Sequence, residues 1–205
     1  MTALGQVLLF FLGTAFADTG YVQKVLRIRR EQACILVIDV QVKLLPAIYK
    51  HQRVVENTRR LITGASLLRV PVLATEQYRK GLGPTSPKVA TAIDGFAPME
   101  KLAFSACGAA GFRVALKARN VPSVVICGIE AHVCVLQTCL DLLEDGYNVF
   151  VVADAVSSRT AENRQLALER MRAAGATIVS TEMVLFEFLE KAGTPEFKQI
   201  IGLIK

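Results

Sequence analysis

Three reactive side chains in this 205-residue chain stand at or beside the ends of apolar runs: Asp39, Lys101 and Cys134. Asp39 interrupts the run 33–40, ACILVIDV. A carboxylate there has two roles open to it. It can bond backbone amides of the following segment, or it can act as a general base in a pocket whose dryness raises its pKa. Lys101 taken alone reads as a solvated surface lysine, because lysine is rarely buried. A buried Lys101 would have to pair with a carboxylate. Cys134 falls in the first turn of a helix that follows an apolar run closed by Gly128. Free N–H groups and the helix dipole at such a position favour thiolate, the nucleophilic form.

The other four cysteines offer less. Cys34 and Cys127 lie within apolar runs and Cys139 lies deeper in a helix, so all three read as packing; Cys107 falls in a loop and takes no role. An odd count without regular spacing argues against a disulfide framework. No CxxC pair exists, and the two histidines, His51 and His132, belong to no HxH or HExxH motif, so no metal site is expected. No GxGxxG follows the first strand, where residues 39–45 read DVQVKLL, and no P-loop exists. A GxSxG elbow is also missing, which sets aside serine hydrolysis of that type. Gly81-Leu82-Gly83-Pro84 is too short and too proline-bound to cradle a phosphate. No cofactor is expected.

The elements that must hold these residues alternate along the chain. Buried strands are predicted at 33–40, 70–76, 99–104, 123–127, 148–153 and 176–179, the first ending in Asp39, the second in Glu76 and the fifth in Asp154. Helical spacing marks 52–69, 111–119, 131–144 and 161–174, with helices filling the C-terminus; 78–87, rich in Gly and Pro, reads as a loop. Parallel strands need helical crossovers, which then cover both faces of the sheet. The expectation is one three-layer α/β/α domain of about six parallel strands over residues 33–205, with function at the carboxyl ends of the strands.

Composition bounds the rest. A net charge of +6, spread along the chain, and the absence of Trp argue against a nucleic-acid partner. Residues 1–32 form an N-terminal extension. Its apolar run, 7–17, is too short to span a bilayer, and no membrane association is expected. That run ends in an A-x-A pattern but lacks a positive n-region, so a signal peptide, an early start site and an extra helix all stay open. The free cysteines point to the cytoplasm; export is the alternative if the signal is real.

Several ordered segments resemble the isochorismatase-like cysteine hydrolases. They are Val37-Ile38-Asp39-Val40-Gln41, the run 71–78 (PVLATEQY), Gly81-Leu82-Gly83-Pro84-Thr85, Lys101-Leu102-Ala103-Phe104-Ser105, the run 127–135 (CGIEAHVCV), Val152-Ala153-Asp154-Ala155 and Ser157-Ser158-Arg159. The resemblance spans about residues 33–204 and implies a Rossmann-like α/β fold. It implies Asp39, Lys101 and Cys134 as the catalytic set, with Asp39 taking the thiol proton and Cys134 attacking a carbonyl-type carbon. It also implies a cis peptide at Ile129–Glu130, with the N–H groups of Glu130 and Cys134 forming an oxyanion hole.

Residues 77–98 hold no histidine, so the metal site of nicotinamidase-type relatives is not expected. Gln41, Glu76 and Tyr78 are candidate substrate contacts; bonding within the loop is the equal alternative for Glu76 and Tyr78. The implied function is hydrolysis of a small amide or related carbonyl compound. Vinyl-ether hydrolysis and a non-catalytic binding or oligomeric domain are the alternatives. Homo-oligomers are the family habit, and the apolar stretch 183–189 serves an interface or the core equally well.

Overall fold

Apolar runs become strands and the amphipathic stretches between them become helices. The computed structural model describes residues 26–205; the apolar run 7–17 and the readings placed on it lie outside them. In chain order the elements are β1 Ala33–Ile38, α1 His51–Leu67, β2 Val72–Gln77, α2 Arg79–Leu82, α3 Pro87–Ala90, β3 Met99–Lys101 and α4 Phe112–Lys117. Then come β4 Ser123–Ile129, α5 Leu136–Glu144, β5 Asn148–Ser157, α6 Ala161–Ala173, β6 Thr177–Val179, α7 Thr181–Leu189 and α8 Pro195–Ile204. One turn of π-helix, Ala131–Val135, joins β4 to α5.

The strands form one six-stranded sheet in the order β3-β2-β1-β4-β5-β6, every pairing parallel. Alternate residues of each strand face opposite layers. Ile35, Val37, Val125, Cys127 and Phe150 pack with α1, α7 and α8; Cys34, Leu36, Val124, Ile126 and Val151 pack with α4, α5 and α6. The three-layer expectation stands. Ile28, placed in the extension by sequence, is fully buried in the first core, and its N–H donates to Glu187 Oε2 at 2.7 Å. In this strand order the connections reverse direction between β1 and β4, which opens a crevice at their carboxyl ends.

Two local readings are corrected. The segment 78–87 is not all loop: α2 lies within it and α3 begins at its end. Asp154 does not end a strand, because β5 runs on to Ser157. Its pairing with β4 shifts register, Ile126 facing Val151 but Gly128 facing Val156. Asp154 therefore lies inside the strand, and its Oδ1 accepts from the N–H and hydroxyl of Thr181 at 2.8 and 3.0 Å, fastening the start of α7.

Gly128 makes the close approach of β4 to β1 possible. Its φ is +120°, and a Cβ there would collide with the backbone oxygen of Ile38. Only glycine satisfies both conditions. Gly128→Ala is expected to abolish soluble expression or to lower the unfolding free energy from urea denaturation by more than about 3 kcal/mol. Wild-type-like denaturation of that variant would show that the contact yields.

Candidate active site

Asp39 follows β1, Lys101 ends β3 and Cys134 lies in the π-turn after β4. Three loops from the same end of the sheet thus converge beside the β1–β4 switch point. All three residues are buried: Asp39 is 0%, Lys101 4% and Cys134 7% exposed. The surface reading of Lys101 gives way to the paired one. Its Nζ donates to Asp39 Oδ2 at 2.6 Å, to Gln77 Oε1 at 2.7 Å and to the Phe104 carbonyl at 2.8 Å, with the Ala103 carbonyl at 3.3 Å. An ammonium has three protons, and each finds an acceptor. Asp39 Oδ1 accepts from the Thr75 hydroxyl at 2.8 Å.

Strand register builds this cluster. Gln77 stands opposite Lys101 on β3, and Thr75 lies two residues earlier on the same face of β2. Sequence reasoning passed over Thr75 and Gln77. Their signal is a polar pair at strand period inside an otherwise buried run.

Burial raises the Asp39 carboxyl; Lys101, Thr75 and Cys134 oppose the rise. Burial, reinforced by the Asp39 carboxylate, pushes the Cys134 thiol up to about 12, with Lys101 pulling the other way. These two effects act against the thiolate preference expected from the helix terminus. Loss of water and a facing carboxylate both favour the protonated thiol.

The peptide bond Ile129–Glu130 is cis. Glu130 then turns to the neighbouring loop, its Oε2 accepting from the N–H and Nε of Arg159, both at 3.1 Å. His132 Nδ1 lies 3.0 Å from the Ser158 hydroxyl. These contacts fasten segment 158–159 to the cysteine turn. From the other side, the Thr138 hydroxyl donates to the Cys134 carbonyl at 2.7 Å and accepts from Ala106 N–H at 2.8 Å.

The three remaining candidates divide. Gln41 is fully buried and its amide is spent on backbone: Nε2 donates to the carbonyls of Gln77 and Gly83, and Oε1 accepts from Gln77 N–H at 2.8 Å. Glu76 is equally committed. Its Oε1 takes the N–H and hydroxyl of Thr85, and its Oε2 takes Arg79 at 2.7 Å. Both clamp the segment 78–86, the within-loop bonding that is the alternative for Glu76. Tyr78 is half exposed, with φ of +37° and its N–H on the Lys101 carbonyl at 2.9 Å. Among the described residues no group of three His, Cys, Asp or Glu is arranged to hold a metal ion.

The isochorismatase domain matches residues 33–183. The chain belongs to the isochorismatase family. The secreted isochorismatase effector Isc1 of Phytophthora sojae is 42% identical over 186 residues, covering 87% of this chain and 87% of that one. The solved MAR1 ribonuclease of Caenorhabditis elegans is 39% identical with a TM-score of 0.83, covering 87% of this chain and 92% of that one. YcaC of Pseudomonas aeruginosa, solved with hexane-2,5-diol and covalent acrylamide, is 28% identical with a TM-score of 0.80, covering 86% and 91%. In this isochorismatase-family chain the matched region takes in all three clustered residues.

Two outcomes follow. Lys101→Met and Asp39→Asn should each cost about 3–5 kcal/mol by leaving one buried charge or its hydrogen-bonding partners uncompensated. The double variant should cost less than the sum in urea denaturation. Additive costs would mean the pair is not coupled.

Alkaline stability tests the thiols. Burial pushes Cys34, Cys127, Cys134 and Cys139 up to about 12 and Cys107 up to about 11, against an ordinary 9.0. The folded state keeps protons that the unfolded chain releases. The contribution is therefore complete below about pH 9 and is lost as pH rises toward 12. Each thiol adds a slope of at most about 1.4 kcal/mol per pH unit in that window. The stability of Cys139→Ala should fall less steeply with pH than wild type; parallel curves would refute the assignment.

Proposed function

We propose that this chain is a cysteine hydrolase of a small amide or related carbonyl compound, with Asp39, Lys101 and Cys134 as catalytic residues. The observation that carries the reading is the dry Lys101–Asp39 pair, 2.6 Å apart, beside a thiol whose ionisation both groups influence. A protonated thiol needs a base at the moment of attack, and a carboxylate strengthened by burial supplies one. Sγ forms a bond to the carbonyl carbon while its proton passes to Asp39. The oxygen becomes an oxyanion, received by the N–H groups of Glu130 and Cys134. Collapse breaks the C–N bond, the leaving amine takes the proton from Asp39, and a thioester remains. Water, giving a proton to Asp39, then hydrolyses the thioester and restores the thiol. Lys101 stays charged throughout and steadies Asp39 as a carboxylate between transfers.

Covalent acrylamide in the Pseudomonas neighbour is consistent with an amide-sized electrophile. Gln41 and Glu76 serve as positioning residues for the segment 78–86, and Tyr78 remains a candidate substrate contact at the mouth. No nucleic-acid or membrane partner enters this reading; no described helix is long and apolar enough to cross a membrane. Buried free thiols suit the cytoplasm, although the Phytophthora relative is named as secreted. For a homo-oligomer, Met183 and Phe186 on α7 are exposed, whereas Val184, Leu185, Phe188 and Leu189 are core.

Ether hydrolysis is the second reading, favoured by the isochorismatase name of the Phytophthora relative. The test is ammonia release from a panel of small amides and ureido compounds, with an enol ether and an RNA oligonucleotide as separate arms. Wild type should release ammonia, and Cys134→Ala should lose at least about 10³-fold in kcat/KM. Enol-ether cleavage that survives Cys134→Ala would select the second reading. RNA cleavage by wild type would replace both with the activity named for the Caenorhabditis neighbour.

A further inference from the structure

A cavity of about 430 Å³ opens beside the carboxyl half of β5, between the first turns of α1 and α6, and none of Asp39, Lys101 and Cys134 lines it. Three cations do: Lys50, Arg53 and Arg164. Among the described residues none of these three forms an ion pair, whereas Arg29, Arg30, Arg59, Arg60, Arg79, Arg113 and Arg159 each do.

Arg164 is held in place from beneath. Its Nε donates to the Val156 carbonyl at 3.1 Å and its Nη2 to the Ala153 carbonyl, both in the stretch of β5 where pairing with β4 shifts register. Nη1 is left without a protein acceptor among the described residues. Arg53 lines the same cavity, and burial together with this neighbouring charge pushes Arg164 below its ordinary range. Lys50 takes the left-handed conformation, φ +51°, uncommon for a side chain with a Cβ, and its ammonium stands 5.0 Å from the centre of the Tyr49 ring.

Two carboxylates also border the cavity, Asp154 and Glu162. Asp154 Oδ1 is taken by Thr181, and although Asp154 eases the charge on Arg164, it forms no ion pair with it. Glu162 is exposed on α6. The lining charges sum to +1, three cations against two carboxylates. Guanidinium forks match the oxygens of phosphate, and a tetrahedral dianion can meet three cations at once. The volume leaves room for a small organic remainder.

We propose that this cavity binds the phosphate group of a small phosphorylated metabolite, at a site separate from the cysteine centre. Calorimetric titration of the full chain at constant ionic strength tests it with inorganic phosphate, glycerol 3-phosphate as a monoester, and succinate. One saturable site is expected, with the monoester tighter than free phosphate and succinate weakest. Lys50→Gln and Arg53→Gln, both exposed positions, should each weaken binding about tenfold, with an unchanged Tm in the absence of ligand. Cys134→Ala should bind as wild type does. Absence of saturable binding, equal affinity in the Lys50→Gln/Arg53→Gln double variant, or tighter binding of succinate or of free phosphate than of the monoester would each overturn the proposal.

Discussion

The buried pair of Lys101 and Asp39 is the interaction on which the rest of the site depends. Two opposite charges removed from water are tolerable only when geometry and hydrogen bonds compensate both. Here the ammonium is fully coordinated by Asp39, Gln77 and the Phe104 carbonyl, and the carboxylate also holds Thr75. The turn after β3 folds back over Lys101 to supply those carbonyls, and Gln77 Nε2 donates to the Leu102 carbonyl at 2.9 Å to hold the turn closed. The pair, the end of β2 and the turn after β3 therefore form together.

The same dryness governs the chemistry. Burial raises Asp39 and Cys134 alike, and Lys101 opposes the rise in both, favouring negative charge on the groups beside it. A proton can move between thiol and carboxylate without changing the net charge of the cluster. That is a cheaper operation in a dry site than keeping an isolated thiolate. Relief of this desolvation on unfolding is also why the thiols become a liability at alkaline pH.

The architecture places the cluster at the one point where parallel strands open. Asp39 follows β1 and Cys134 follows β4, the two neighbours between which the connections diverge. Gly128 lets the two strands approach at that point. Polar residues nearby hold the scaffold: buried Gln41 and Glu76 bind the segment 78–86, buried Thr138 joins the cysteine turn to Ala106, and part-buried Asp154 fastens the start of α7. Such groups look like ligand contacts in a sequence because both roles call for a polar residue near a strand end.

By itself the sequence determined the alternation of buried strands and helices, the three-layer class, and the strand-end position of Asp39. Those depend on local periodicity and burial, which are written in order along the chain. Residue types and family motifs also singled out Lys101 and Cys134. Tertiary structure decided what sequence left open: that Lys101 is buried and paired rather than solvated, that burial and Asp39 push the Cys134 thiol up, that Gln41 and Glu76 bond the segment 78–86, and that β5 runs past Asp154. Each of these depends on how loops and strands meet in space or on exclusion of water. Thr75 and Gln77 gain meaning only when β2 lies beside β3 in register, and Lys50, Arg53 and Arg164 meet only because α1 and α6 begin at the same end of the sheet. Local pattern carries no record of desolvation or of long-range pairing, and those two effects set the charges of this site.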